Sequence, residues 1–293
     1  MKFKIFTTVI FTFFLVGNSF LSVSDIYANP GANSFLFFGK KKNNTKDKES
    51  QDSTKIDKSK YKELKGKDSN VQSGMFNIIQ KKKDYYYEIP STFLNRDLLI
   101  VNKIQKVPQP LNDAGVNKGI NYENILIRFE LDKKNDMLMV RMVHPKPYAP
   151  KEDAIYNSVD DNFISSLIGG LKIEAMNSDS TSYVVKINDL YNGTETSFNS
   201  LFSSINLGTS ALSKLSRIIE SKAFENNVVI TSELTTKVTE GTSSIYITVV
   251  VNSTIVALPE KPMAGRFENN KVGYFTTPQL YFSDKQQALV SKQ

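Results

Sequence analysis

Apolar and polar residues alternate most regularly toward the end of the chain. Over residues 243–257, Ile245, Ile247, Val249, Val251, Ile255 and Ala257 fall on one face, and Tyr246, Thr248, Val250, Thr254 and Val256 on the other. Both faces carry β-branched or aromatic side chains, the composition of a strand packed on two sides. The run exceeds an ordinary strand, so a bend near Asn252-Ser253 and two flanking strands are expected. Pro259 and Pro262 end it, because proline offers the ladder no amide. Residues 227–238 alternate as well, with Val228, Ile230, Leu234 and Val238 set against Thr231, Glu233, Thr235 and Lys237, and Glu240-Gly241-Thr242 turns one strand into the next.

Earlier strands come in pairs. Residues 98–107 form the first, stopped by Pro108 and Pro110, and residues 111–122 read as a loop. Ile125, Ile127, Phe129 and Leu131 share a face that Leu138, Val140 and Met142 resume after a polar turn at residues 132–136, the pattern of an antiparallel hairpin. A second hairpin joins Leu171, Ile173 and Ala175 to Tyr183, Val185 and Ile187 across residues 177–181. Between the hairpins Ile155, Val159, Phe163 and Leu167 recur every four residues, predicting a helix over residues 150–168 that Gly169-Gly170 stops. Met75, Phe76, Ile78 and Ile79 predict one helical turn, and Pro90 holds Ile89 extended. Residues 188–210 are a polar, Ser-rich excursion anchored by Leu201, Phe202 and Ile205; Leu212, Leu215, Ile218 and Ile219 fit a short helix or an irregular strand alike. The predicted class is α+β, mainly β: an antiparallel meandering sheet of about seven strands with a few short helices.

Composition refines this into segments. Lys2 and Lys4 precede an apolar run over residues 5–16, too short for a spanning helix and suited to an export signal. Residues 1–28 are therefore expected to be removed, leaving no transmembrane span and an exported protein, in the periplasm, in the cell envelope or secreted. Residues 40–67 hold eleven lysines against five acids with few large hydrophobes, so residues 29–74 read as a disordered, Lys-rich linker. A β-rich domain over residues 75–276 and a tail over residues 277–293 follow. The formal charge of +7 belongs to leader and linker, because residues 84–293 hold 21 basic and 23 acidic residues; nucleic acid is not an expected partner. The chain has no cysteine, so neither disulfides nor thiolate zinc sites contribute.

Candidate chemistry is sparse. His144 is the only histidine of the 293 residues, and a lone imidazole without cysteine does not make a zinc site; a strand-end residue is expected. Asp160 and Asp161 are adjacent, and neighbours on a helix point in different directions, so they and Glu174 give a weak case for hydrolysis. Tyr85, Tyr86 and Tyr87 suit either a stacking platform for a glycan or amphipathic rings that cover a sheet edge with their hydroxyls in water.

Two stretches carry a family resemblance. L-P-E-K-P-M-A-G-R-F-E-N-N-K-V-G-Y-F-T, ending at Thr276, and K-K-K-D-Y-Y-Y-E-I-P-S-T-F-L-N-R-D-L-L-I-V, ending at Val101, resemble segments of the uncharacterised N-terminal region of a family of bacterial secreted zinc-dependent metalloproteases, metzincin-like in type. The resemblance covers residues 75 to 293. It implies a scaffold or prosegment-like region without catalytic, metal-binding or cofactor-binding residues, cut short before the H-E-x-x-H domain that holds the family's zinc. The implied partner is that missing catalytic domain, contacted through Arg266, Val272, Tyr274 and Phe275; Tyr85, Tyr86 and Tyr87 complete the candidate interface. The alternative is a stand-alone envelope or secreted module that binds a glycan or peptide.

Overall fold

In the computed structural model, which describes residues 58–144, 147–259, 261 and 280–284, the strands run largely as antiparallel neighbours. Strands β1 (Ser69–Gln72), β2 (Asn77–Lys81), β3 (Asp84–Pro90), β4 (Asp97–Lys106), β5 (Asn121–Asp132) and β6 (Met137–Met142) are followed by a short β7 (Pro147–Tyr148). Then come β8 (Ser166–Met176), β9 (Ser182–Lys186), β10 (Arg217–Ala223), β11 (Asn227–Glu240), β12 (Ser243–Ala257) and β13 (Leu280–Tyr281). Eleven of them make one sheet in the order β1-β2-β3-β9-β8-β6-β5-β4-β12-β11-β10, and β13 pairs with β7 in parallel. Among the described residues four short α-helices accompany them: α1 (Lys58–Leu64), α2 (Gln109–Asp113), α3 (Tyr156–Asn162) and α4 (Leu201–Ser204). The fold is mainly β as expected, but the sheet has eleven strands rather than about seven.

The sheet strands not expected from the sequence are β1, β2 and β3, as are β7 and β13 of the small pair; β10 settles residues 217–223, left open between helix and strand, as a strand. Residues 75–79 do not form a helical turn; Ile78 and Ile79 lie in β2, one facing each packed side of the sheet. Lys81 ends β2, and Lys82 and Lys83 form the β2–β3 turn, with Lys82 in the left-handed region at φ 57. α1 and β1 lie inside the stretch assigned to the linker, so ordered structure begins ahead of residue 75. The leader, the linker up to residue 57 and the boundary at residue 276 lie outside the described residues.

Both predicted hairpins form, and their turns show why. Asp132 Oδ1 accepts from the N–H groups of Lys134 and Asn135 at 3.0 and 3.2 Å. Asn177 Oδ1 accepts from those of Thr181 and Ser182 at 2.8 and 3.0 Å. In each case a short polar side chain takes over the turn's backbone donors. The helix expected over residues 150–168 shrinks to α3, and Gly169-Gly170 lies within β8 rather than ending a helix. Phe163 is 43% and Leu167 51% exposed, so the four-residue repeat is no buried face. A Cβ on Gly170 would stand 2.7 Å from Met137 Cε; the glycine makes room across the β6–β8 pair. β12 does serve two neighbours, β11 along nearly its whole length and β4 from Val250, with its irregularity at Val250/Val251 rather than at Asn252-Ser253.

The sheet curls until its two ends nearly meet. Gln72 on β1 bridges to β10 with its side-chain amide, Nε2 donating to Ser221 O at 2.9 Å and Oε1 accepting from Ala223 N at 3.2 Å. That spacing imitates a neighbouring strand. Just beyond, Met75 N donates to Phe224 O at 2.7 Å. The barrel so formed is filled rather than hollow. Tyr191 and Phe198, from the excursion after β9, are fully buried in the main core with Phe76, Tyr87, Phe129 and Ile230. Leu201 and Phe202 cap a second core with Ile104, Leu234, Val249 and Val251. Asn199, fully buried, holds the excursion in shape: its Oδ1 accepts from Gly193 N at 3.1 Å and its Nδ2 donates to Tyr191 O at 3.3 Å.

Candidate interaction surface

The three tyrosines share β3 but not a face, since strand side chains alternate. Tyr87 is fully buried, its ring 5.5 Å from that of Phe76 and its hydroxyl 2.7 Å from the Tyr191 hydroxyl. Burial pushes the Tyr87 hydroxyl well above its ordinary pKa, so the pair stays neutral and shares one hydrogen bond. Tyr85 is 6% exposed and also faces the main core. Tyr86 faces outward and packs with Tyr61 against a small cluster of Leu64, Ile79, Ala175 and Val184 under α1. The rings therefore form no three-membered stacking platform, and β3 is an inner strand rather than an edge. Arg266, Val272, Tyr274 and Phe275 lie outside the described residues.

Next to the tyrosines stands Glu88, 4% exposed. Its carboxylate meets Lys65 Nζ at 2.8 Å, Tyr61 OH at 2.8 Å and Asn77 Nδ2 at 3.0 Å. Burial alone would raise its pKa, but the hydrogen bonds from Lys65, Asn77 and Tyr61 outweigh burial and hold it below the ordinary 4.5. Lys60 pairs with Glu174 at the Ile173/Ala175 bulge of β8, and Lys81 pairs with Glu63 at 2.8 Å. Glu88 thus fastens α1 to the outside of the barrel. The sign of the linkage follows: a depressed carboxyl stabilises the fold above its unfolded pKa and loses that contribution as pH falls through the folded value. Acidification below pH 4.5 is expected to detach α1 before the barrel melts, read as loss of amide protection at residues 58–64. Glu88→Gln should abolish that pH step.

The other candidates are scattered. His144 is exposed just past β6, Asp160 and Asp161 lie on the exposed side of α3, and Glu174 is engaged with Lys60. Among the described residues no group of three or more acidic or histidine side chains is placed to hold a metal ion. Among the described residues, the one imidazole and the separated carboxylates do not converge into a donor set for the zinc that the resemblance places in the catalytic domain. Two surface depressions, one lined by Phe224, Glu225, Asn226 and Asn227 and the other by Glu195, Ser203, Asn206, Gly208 and Thr209, contain none of these side chains.

What the surface does offer is aromatic. β13 returns to pair with β7, and Phe282 N donates to Tyr148 O at 2.8 Å. The rings of Tyr148 and Tyr281 come within 5.5 Å and those of Phe163 and Phe282 within 5.6 Å, while Ser283 Oγ donates to Asp153 Oδ2 at 2.6 Å. Tyr148 is 44%, Ile164 71% and Leu167 51% exposed. The sequence reading missed this cluster because it assigned Phe163 and Leu167 to a buried helical face.

A family model for a domain of unknown function (DUF5117) matches residues 119–293, more than half of the chain. The chain belongs to the DUF5117 family. A second model, also a domain of unknown function (DUF5118), matches residues 58–107. No curated protein and no solved structure matches. On the fold, the DUF5117 match contributes β5 to β13, and the DUF5118 match contributes α1 and β1 to β4. The two interleave: β4 lies between β5 and β12, and β3 pairs with β9. They are two parts of one barrel, not two domains.

Proposed function

We propose that this DUF5117 chain is the non-catalytic, scaffold- or prosegment-like region of an exported zinc-dependent metalloprotease, and that it docks the protease domain. The reading rests on the resemblance of its two stretches to that family. The observation that carries it is the aromatic surface formed by exposed Tyr148 and Phe163 with half-buried Tyr281 and Phe282, built partly by residues 280–284. Those residues lie on the side of the chain from which, by the resemblance, the protease domain continues. Contiguous exposed apolar surface of this kind marks a contact site. A barrel filled by its own excursion suits a docking part better than a substrate-binding one.

The test mixes the purified chain with a separately produced metzincin-like domain of that protease family. Sedimentation should show a one-to-one complex that Phe163→Asp weakens at least tenfold, with the melting temperature little changed. No complex, or one indifferent to Phe163→Asp, contradicts the reading. The alternative module, for a glycan or peptide, moves to the same rings, since Tyr85 and Tyr87 are buried. It is the better account if glycan binding is found and Tyr281→Ala removes it.

A further inference from the structure

The hairpin of β11 and β12 outruns its neighbours. β10 accompanies β11 from Val228 to Glu233, and β4 accompanies β12 from Val250 to Ala257. Residues 243–249 of β12 therefore have a strand on one side only among the described residues. Which of their backbone groups face the open side follows from Thr235. Its N–H donates to Ser216 Oγ at 3.1 Å and its C=O accepts from Leu212 N at 2.7 Å, so both point away from β12. In an antiparallel ladder, two residues opposite each other either exchange hydrogen bonds or both turn outward. Thr248 is opposite Thr235, so its N–H and C=O aim at the open side, and by the period of two those of Tyr246 and Ser244 do the same. A strand added there would continue the line of β4 past Lys106, which faces Val250.

Open edges are normally blocked by charge, proline or a covering element. Residues 243–257 contain no Asp, Glu, Lys, Arg or Pro, and Ile245 and Tyr246 stand 45% and 63% exposed beside the edge. The surrounding charge is basic. Lys103 and Lys106 are exposed on β4, and Lys237 Nζ lies 5.9 Å from the centre of the Tyr246 ring. Glu233, the acid on β11's outer side, is paired with Arg217 at 3.0 Å. Regularly spaced amide donors and acceptors are the complement of an extended peptide backbone. The lysines select its side chains. A second copy of this chain would bring the same lysines with it, over an edge too short for the roughly 800 Å² per partner of a stable interface.

We propose that the open edge of β12 at residues 243–249 takes up an extended acidic peptide of a partner protein as an added strand. This stands apart from the aromatic surface and survives its failure. The test titrates the full chain with a labelled nonapeptide alternating valine and glutamate, and with its lysine counterpart, by fluorescence anisotropy. Thr248→Pro removes an N–H that the β11 ladder does not use, a placement edge strands tolerate, and Lys106→Glu reverses the local charge. The acidic peptide should bind saturably and the basic one at least tenfold more weakly. Thr248→Pro should weaken acidic-peptide binding at least tenfold with the circular dichroism spectrum retained, and Lys106→Glu should narrow the preference between the peptides. Absence of saturable acidic-peptide binding, equal binding of both peptides or binding unchanged by either substitution overturns the proposal. So does a concentration-dependent dimer that Lys106→Glu disperses, which would make a second copy the occupant.

Discussion

Residues 119–293 produced without residues 58–107 are expected not to fold, and adding residues 58–107 in trans is expected to restore a cooperative melting transition. The DUF5117 match alone lacks the strand between β5 and β12, and with it Leu98, Ile100 and Ile104, at most 2% exposed in the whole chain. It also lacks Phe76, Ile78, Tyr87 and Ile89, which supply the opposite side of the main core. Burying a large apolar side chain contributes roughly 2 kcal/mol, so losing seven removes about as much as the 5–15 kcal/mol that holds a typical domain together. A cooperative transition in residues 119–293 alone, seen by near-ultraviolet circular dichroism, would show that the two matches are separate units after all.

Gly74→Ala is expected to lower stability by roughly 3 kcal/mol, through overpacking and the loss of one backbone hydrogen bond. A Cβ there would stand 2.6 Å from Phe224 O and 2.7 Å from Phe224 N. Both are backbone atoms, so no side chain can turn aside, and the seam between β2 and β10 must open. The Met75 N–Phe224 O bond and the Gln72 bridge would part together. At roughly 2–4 °C per kcal/mol for a domain of this size, the melting temperature should fall by about 6–12 °C. A change within 2 °C would mean that the seam does not hold the barrel.

The parts of the fold legible in the sequence are those whose instructions are local. The β5–β6 and β8–β9 hairpins combine strict alternation with Asp132 and Asn177, whose side chains bond the next turn themselves, and the β11–β12 pair alternates for more than a dozen residues. What escaped depends on distant partners. Tyr191 and Phe198 sit in a Ser- and Asn-rich stretch without periodicity, and Tyr191 meets Tyr87 across 104 positions. β1 to β3 were hidden by lysines: a Lys-rich stretch with a helix held by Glu88 and Glu174 looks like a linker until those carboxylates are seen beside it. Gly169-Gly170 read as a helix stop because the local signal for a break and for close strand packing is the same. Of the candidate interface, the order of the tyrosines was readable but not their burial, which rests on the excursion that fills the barrel. The exposed rings of Tyr148 and Phe163 become a surface only when residues 280–284 return to them.

On the proposed reading the barrel binds and positions but carries out no hydrolysis. The most direct test is to incubate the purified full chain with labelled casein, with zinc and with a chelator. No release of label above the buffer rate is predicted in either condition; zinc-dependent release that the chelator abolishes and that persists in an independently purified preparation would contradict it.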